Sequence, residues 1–150
     1  MSFTEIDRGL LGKEFDRAQY GPVTAAEMVQ YARKLGETDP VYLDEAAAAK
    51  SLHGGLIAHP SFVVKLRGDR ALPDYVVQQM RSGGFDAGKD IELGEPMRPG
   101  DVLQVRSSLH DIYEKTGRSG SMVFLVLRTT IHNQHDKMVA IIDQRMMQKA

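Results

Sequence analysis

The chain has 150 residues, 42% of them apolar and 26% charged, and a formal net charge of -1. That length suits one domain, spanning 1–150, with a sizeable core. The near-neutral balance supplies no field that favours nucleic acid, and no apolar run is long enough to span a bilayer. Cysteine is absent, which excludes disulfides, thiol nucleophiles and cysteine-ligated zinc. The first residues, Met1 to Arg8, lack the basic-then-apolar order of a secretion signal, so a cytoplasmic location is expected.

Ala25, Met28, Val29, Ala32 and Leu35 recur at helical spacing and predict a helix over 25–35. Thr24 and Glu27 form a capping box, each side chain able to satisfy the other's backbone N–H. Val23 and Met28 supply the accompanying hydrophobic staple. Gly36 suits the left-handed residue that ends such a helix. Asp44 can cap a short helix through Glu45–Lys50, and Pro60 can open a third, with Phe62, Val63 and Leu66 on its apolar face. Gly68 or Pro73 should break that helix, with Tyr75 to Met80 continuing the helical region. Phe62, Val63, Leu66, Tyr75 and Val76 either line a pocket or fill the core, and core is the better reading.

The pattern changes after Gly84. Arg98-Pro99-Gly100-Asp101 is a turn signal. Leu103, Val105, Ser107 and Leu109 alternate as in a half-buried strand. Met122 to Leu127 is nearly continuous and apolar, as in a central strand covered on both faces. His132 to Lys137 is a polar hairpin connection, and Met138 to Ile142 reads as the last long strand. Segments near 10–20 and 84–95 can supply shorter strands. Helices first and antiparallel strands last make the class α+β.

The order of these features carries a resemblance. The capped helix precedes an acidic loop, Gly36 to Asp44, then Gly54-Gly55-Leu56-Ile57-Ala58-His59-Pro60 and the Arg98–Asp101 turn. A later stretch, Thr116 to Met122, also fits. The chain resembles the MaoC-like hot-dog hydratases and dehydratases, specifically the fatty-acid-synthase-type dehydratase N-terminal domain, from about Gly12 to Gln144. The resemblance implies a sheet wrapped around a long central helix. It also implies pairing of two such folds; this chain holds one copy, so a homodimer or a heterodimer with another hot-dog subunit is expected. The implied substrate is an acyl thioester of coenzyme A or acyl carrier protein, hydrated or dehydrated at its 2,3 position, with no metal or redox cofactor.

In that family the acidic position after the glycine is usually Asp and the Tyr42 position is His; here they read Glu37 and Tyr42. Hydration of an enoyl thioester needs a base for water, an acid for the alpha carbon, and donors for the enolate oxygen. Glu37 can act as base, although its extra methylene changes the reach by roughly 1.5 Å, and misplacement by about 1 Å can cost orders of magnitude. Tyr42 can donate a proton or orient water. With an unperturbed pKa of about 10 it is a poorer partner near neutrality than His. The bland readings are a solvated loop carboxylate for Glu37 and a packing or substrate-lining ring for Tyr42. Asp39 supports the turn before Pro40, and Asp44 is a cap.

By the same resemblance, Gly55, Leu56, Ile57, Ala58 and His59 form the substrate-binding lead into the central helix, with backbone N–H groups for the thioester oxygen. A tight glycine turn is the plain alternative. His59 either replaces the missing imidazole or caps the following helix. His132 and His135 lie in a polar turn without a suitable third ligand, so no metal is expected there. Arg106, Lys115, Arg118 and Arg128 can meet coenzyme A phosphates or simply be scattered surface charge.

The leading expectation is a subunit of an (R)-specific enoyl-thioester hydratase/3-hydroxyacyl dehydratase, with a partner hot-dog subunit supplying the full Asp/His pair. In a second version the chain works as a homodimer using Glu37. A hot-dog acyl-CoA thioesterase, with Glu37 or Asp39 as base, and a non-catalytic acyl-thioester-binding subunit are the alternatives.

Overall fold

Alternation in the second half of the chain builds a sheet, and capped helices in the first half cover it. The computed structural model describes residues 3–70, 72–81 and 83–150. The strands are β1 (Glu14–Tyr20), β2 (Phe85–Leu93), β3 (Leu103–Gly117), β4 (Gly120–His132) and β5 (Met138–Lys149). They form one antiparallel sheet in the order β1-β3-β4-β5-β2. The apolar run inside β4 therefore lies on the middle strand, as its composition predicts. Between β4 and β5, Asn133 Oδ1 accepts the N–H groups of His135 and Lys137 at 3.0 and 3.1 Å, which closes the polar hairpin.

Period-two alternation assigns the faces. Leu103, Val105 and Leu109 of β3, Leu125, Leu127 and Ile131 of β4, and Ala140, Ile142 and Met146 of β5 are buried together. The other face is mixed: Phe124 and Val126 share it with Arg128 and Asp143, paired in register at 2.7 Å, and with Arg145, paired with Asp90. Arg128 is thus engaged, and Lys115 lies over the stacked Tyr113 and Phe124 rings.

The α-helices are α1 (Ala25–Lys34), α2 (Glu45–Ala49) and α3 (Asp74–Arg81). α1 begins where predicted, with Thr24 Oγ1 accepting the Glu27 N–H at 3.1 Å. The reciprocal half of the box differs: the Glu27 carboxylate takes the Thr24 hydroxyl and the Tyr20 hydroxyl, both at 3.2 Å. The Arg98–Asp101 turn pins this entry to the sheet. Val23 N–H donates to the Asp101 carbonyl, and Gly100 N–H donates to the Val23 carbonyl.

The largest departure from expectation is the segment after Pro60. No long central helix runs there. Pro60–Lys65 is a six-residue 3-10 helix, with Phe62 N–H donating to the His59 carbonyl and Leu66 N–H to the Val63 carbonyl. Its β-branched pair Val63 and Val64 weakens helix formation, and Leu66 is already extended. Gly68 then passes so close to the Asp16 carboxylate on β1 that a Cβ would collide with it. The short helix still fills the concave face. Phe62, Val63 and Leu66 are buried in a cluster with Val23, Met28, Leu103, Val105 and Ile131. A second cluster, around Phe3, Val76, Leu109, Leu125 and Met146, lies under α3 and the N-terminal residues. Helix on one face of an antiparallel sheet is the α+β arrangement expected. No helix among the described residues is long and apolar enough to cross a membrane.

Candidate active site

The end of α1 places Glu37. Gly36 takes φ +77°, its N–H donating to Arg33 and that of Glu37 to Ala32, both at 3.0 Å. These crossed bonds are the Schellman motif that satisfies a helix's last carbonyls. The side chain then folds back: Glu37 Oε1 accepts the N–H groups of Thr38 at 2.8 Å and Asp39 at 3.0 Å. Asp39 accepts from Val41 N–H at 3.0 Å and so caps the 3-10 turn Pro40–Tyr42, which carries Tyr42. Asp44 caps α2 through the N–H groups of Ala46 and Ala47. Both aspartates are structural, as expected.

A second turn places His59. It caps the 3-10 helix with its own ring: Nδ1 accepts the Ser61 N–H at 3.2 Å and lies 2.8 Å from Ser61 Oγ. That leaves Nε2 facing Glu37 Oε2 at 3.3 Å, each side chain 24% exposed. The Tyr42 ring lies 5.3 Å from the His59 ring, and the Tyr31 ring 6.4 Å away on the α1 side. Tyr31 Oη in turn meets Ser61 Oγ at 2.9 Å and donates to the Ser61 carbonyl at 3.2 Å. His59 is both of the things its sequence position allows, a cap through Nδ1 and an imidazole whose Nε2 meets Glu37. Tyr31 and Ser61 were not singled out. The only signal for Ser61 is its place two residues after a capping histidine.

A cavity of about 220 Å³ opens beside this group. Tyr42, His59, Ile57, Ala58, Val63, Met97 and Val139 line it, with His53, Leu93, Gly94, Glu95 and Pro96 around them. Glu37 is outside the lining and touches the cavity through His59. Leu56 is buried in the core, and Gly55 approaches Arg98. The expected donor role of this segment changes in detail. The Ala58 N–H is engaged with the Met97 carbonyl at 2.9 Å and the Ile57 N–H with Val41 at 3.4 Å. The Gly55, Leu56 and His59 amides have no such backbone partner among the described residues, and of the three only His59 lines the cavity.

The electrostatics separate the two family positions. Backbone N–H bonds from Asp39 and Thr38 lower the Glu37 pKa, with His59 adding to the effect, so the carboxylate stays ionised. Burial raises the Tyr42 pKa, and the charges of Asp39 and Glu37 raise it further. Tyr42 therefore keeps its proton near neutrality. No group of three or more His, Cys, Asp or Glu among the described residues can hold a metal ion. A larger open groove, about 940 Å³, lies between α1 and α2, but Arg33, Lys34, Asp44 and Glu45 give it mixed charge, and none of the predicted site residues lines it.

The sheet order and the helical segment across its concave face define a hot-dog fold. The chain belongs to the FAS1-like dehydratase domain region family, which matches residues 9–142. It is 33% identical over 133 residues to a UPF0336 protein of Parafrankia sp. (strain EAN1pec), covering 79% of this chain and 88% of that one. Three solved structures share the fold. A MaoC-like dehydratase from Rhodospirillum rubrum superposes with a TM-score of 0.71 at 23% identity, over 98% of this chain and 95% of that one. A chain of the ChsH1-ChsH2 complex from Mycobacterium tuberculosis gives 0.74 at 18%, over 91% and 84%. An (R)-hydratase from A. caviae involved in PHA biosynthesis gives 0.65 at 18%, over 97% and 98%.

Proposed function

We propose that this chain is a subunit of an (R)-specific enoyl-thioester hydratase/3-hydroxyacyl dehydratase, with Glu37 and His59 as its acid–base pair. The observation that carries the proposal is the 3.3 Å approach of Glu37 Oε2 to His59 Nε2 at the edge of a largely apolar cavity. The carboxylate replaces the family's Asp, and an imidazole from a different turn replaces the one missing at Tyr42. A water held beside the pair, against Oε2, would lose a proton to Glu37 as its oxygen bonds to the beta carbon. The alpha carbon gains a proton from the same pair, so water adds across the double bond with no net change in the enzyme. Tyr42 orients the water or the acyl group as a neutral donor. The His59 amide, on the cavity wall, is the candidate donor for the thioester oxygen. Ile57, Ala58 and Val63 receive the acyl chain, carried by coenzyme A or acyl carrier protein.

A partner hot-dog subunit belongs to this reading. β2 is an edge strand exposed along nearly its whole length, with Phe85, Ile91 and Leu93 bare. Leu93 to Pro96 form the rim of the cavity. Pairing along β2 would satisfy the edge and roof the site. The same exposed edge favours the second reading, in which the partner supplies the complete Asp/His pair and this chain shapes the acyl channel.

The purified protein, alone, should consume crotonyl-coenzyme A with loss of enoyl absorbance and no release of free thiol. Thiol release would instead make it a thioesterase. Silence alone, with activity restored by a hot-dog subunit carrying the intact Asp/His pair, would establish the second reading. Silence beside such a partner, with tight coenzyme A ester binding, would leave a non-catalytic binding subunit.

A further inference from the structure

The hydroxyl network behind His59 has no part in the mechanism so far. Three contacts order it. The Ser61 backbone N–H, which can only donate, points at His59 Nδ1 at 3.2 Å. The Ser61 hydroxyl lies 2.8 Å from the same nitrogen. The Tyr31 hydroxyl meets the Ser61 carbonyl, which can only accept, at 3.2 Å, and Ser61 Oγ at 2.9 Å. The backbone donor, at 3.2 Å, biases Nδ1 toward being the acceptor of the neutral ring, and the closer hydroxyl, at 2.8 Å, completes that bias as a second donor, so the ring proton is on Nε2. The single Tyr31 hydroxyl proton is shared between the Ser61 carbonyl and Ser61 Oγ, and where it reaches Oγ it leaves the Ser61 hydroxyl proton for Nδ1. The bonds with a fixed donor run one way: the Tyr31 hydroxyl to the Ser61 carbonyl, the Ser61 amide to Nδ1, and hence Nε2–H to Glu37 Oε2. At the far end, Thr38 and Asp39 N–H groups hold Glu37 Oε1, so both partners are fixed from behind.

We propose that Ser61 and Tyr31 are positioning residues that lock His59 in the Nε2–H tautomer with that proton aimed at Glu37. The inference deepens the reading of Glu37 and His59 as the reacting pair and rests on it for its catalytic consequence. Ser61 touches neither substrate nor water in this scheme; it acts through the ring. Tyr31 is the outer support, half-buried on α1 and packed edge-on against Phe62 at 5.1 Å. A hydroxyl at 61 also suits the charged ring, because it can rotate and accept from Nδ1 when the imidazole takes a second proton. Alanine at 61 keeps the backbone cap but loses that exchange.

The test uses ¹⁵N-histidine-labelled full-length protein and long-range ¹H–¹⁵N spectra of the His59 ring, recorded where the ring is neutral. The wild type should show a pyridine-like Nδ1 and a protonated Nε2. Ser61→Ala should move both nitrogens toward the averaged values of mixed tautomers, Tyr31→Phe should do so to a smaller extent, and Ser61→Thr should restore the wild-type pattern. An Nδ1–H tautomer in the wild type, or spectra unchanged in Ser61→Ala, would overturn the proposal. Restoration by Ser61→Thr separates a lost hydroxyl from a damaged fold. In the hydration assay, Ser61→Ala should lower kcat by about tenfold to a hundredfold with KM little changed. In a His59→Gln background it should add nothing further; an equal loss there would mark Ser61 as merely structural. If no variant, wild type included, turns over an enoyl thioester, the functional reading fails while the ring spectra still decide the positioning.

Discussion

The site is assembled from two residues whose local roles are both structural. Glu37 is the third residue beyond α1 and folds over its own loop; His59 caps a 3-10 helix. The acidic loop was legible in the sequence because glycine, carboxylate and Pro40 sit together. The pairing with His59 was not, since it depends on where two separated turns meet in space. Tyr42 was legible as a site-lining ring, and its raised pKa fits a donor better than an acid–base group. The lowered Glu37 pKa carries a prediction with a definite sign. A carboxylate whose folded pKa is depressed stabilises the fold above its unfolded pKa, near 4.3, and loses that contribution as pH falls through the lower folded value. Wild type should therefore exceed Glu37→Gln in stability at neutral pH, with the gap closing only at more acid pH than an ordinary glutamate would give. Urea midpoints of the two proteins across an acid pH series measure this, and a gap independent of pH would contradict it.

At the scale of elements, caps and turns were the readable features. Thr24, Gly36 and Asp44 each do what their residue types allow at helix ends. Asp44→Ala removes the acceptor for two N–H groups of α2 and should cost about 1 kcal/mol, read from urea unfolding. After Pro60 the long central helix implied by the resemblance is absent, and the helix that Gly68 or Pro73 was expected to break ends at Lys65 as a 3-10 stretch, which the spacing of Phe62, Val63 and Leu66 suits equally well. The deciding contact, Gly68 against Asp16 on β1, is non-local and invisible in a window of neighbours. Short as it is, the segment anchors the core: Phe62 is fully buried, and Phe62→Ala should destabilise by about 3–5 kcal/mol. Gly94 was not singled out. A Cβ there would strike the Met138 backbone carbonyl, and backbone cannot rotate away. Gly94→Ala should cost about 1–3 kcal/mol, and, since Gly94 borders the cavity, it should raise KM as well. A variant as stable as wild type would show that β5 yields at this point.

For the whole molecule, alternation revealed which residues face the core but not how the strands are ordered. β2 precedes β3 in the chain yet pairs with β5, the last strand, and so becomes an edge. The division of the core into two clusters was equally hidden. The hydroxyls of Ser107 and Thr129 lie on the inner face, bonded to each other at 2.8 Å, and Ser107 had looked like one more member of an apolar stripe. The bare edge makes a prediction at this scale. If β2 pairs with a second hot-dog subunit, Ile91→Lys with Leu93→Lys should abolish that pairing, because lysines on an edge strand oppose edge-to-edge association. Light scattering behind size exclusion should show the molar mass falling to that of one chain while circular dichroism keeps its sheet signal. An unchanged mass from an assembly that persists would place the interface elsewhere.

The central claim is that Glu37 and His59 work as one acid–base pair. The direct measurement is kcat/KM for crotonyl-coenzyme A hydration by wild type, Glu37→Gln, His59→Gln and the double variant. Each single change should lower the rate by about 10²–10⁴-fold, and the double variant should be little worse than either single one, since residues acting as a unit are not additive. Hydration that survives both changes at the wild-type rate would contradict the account and assign the chemistry to groups other than this pair.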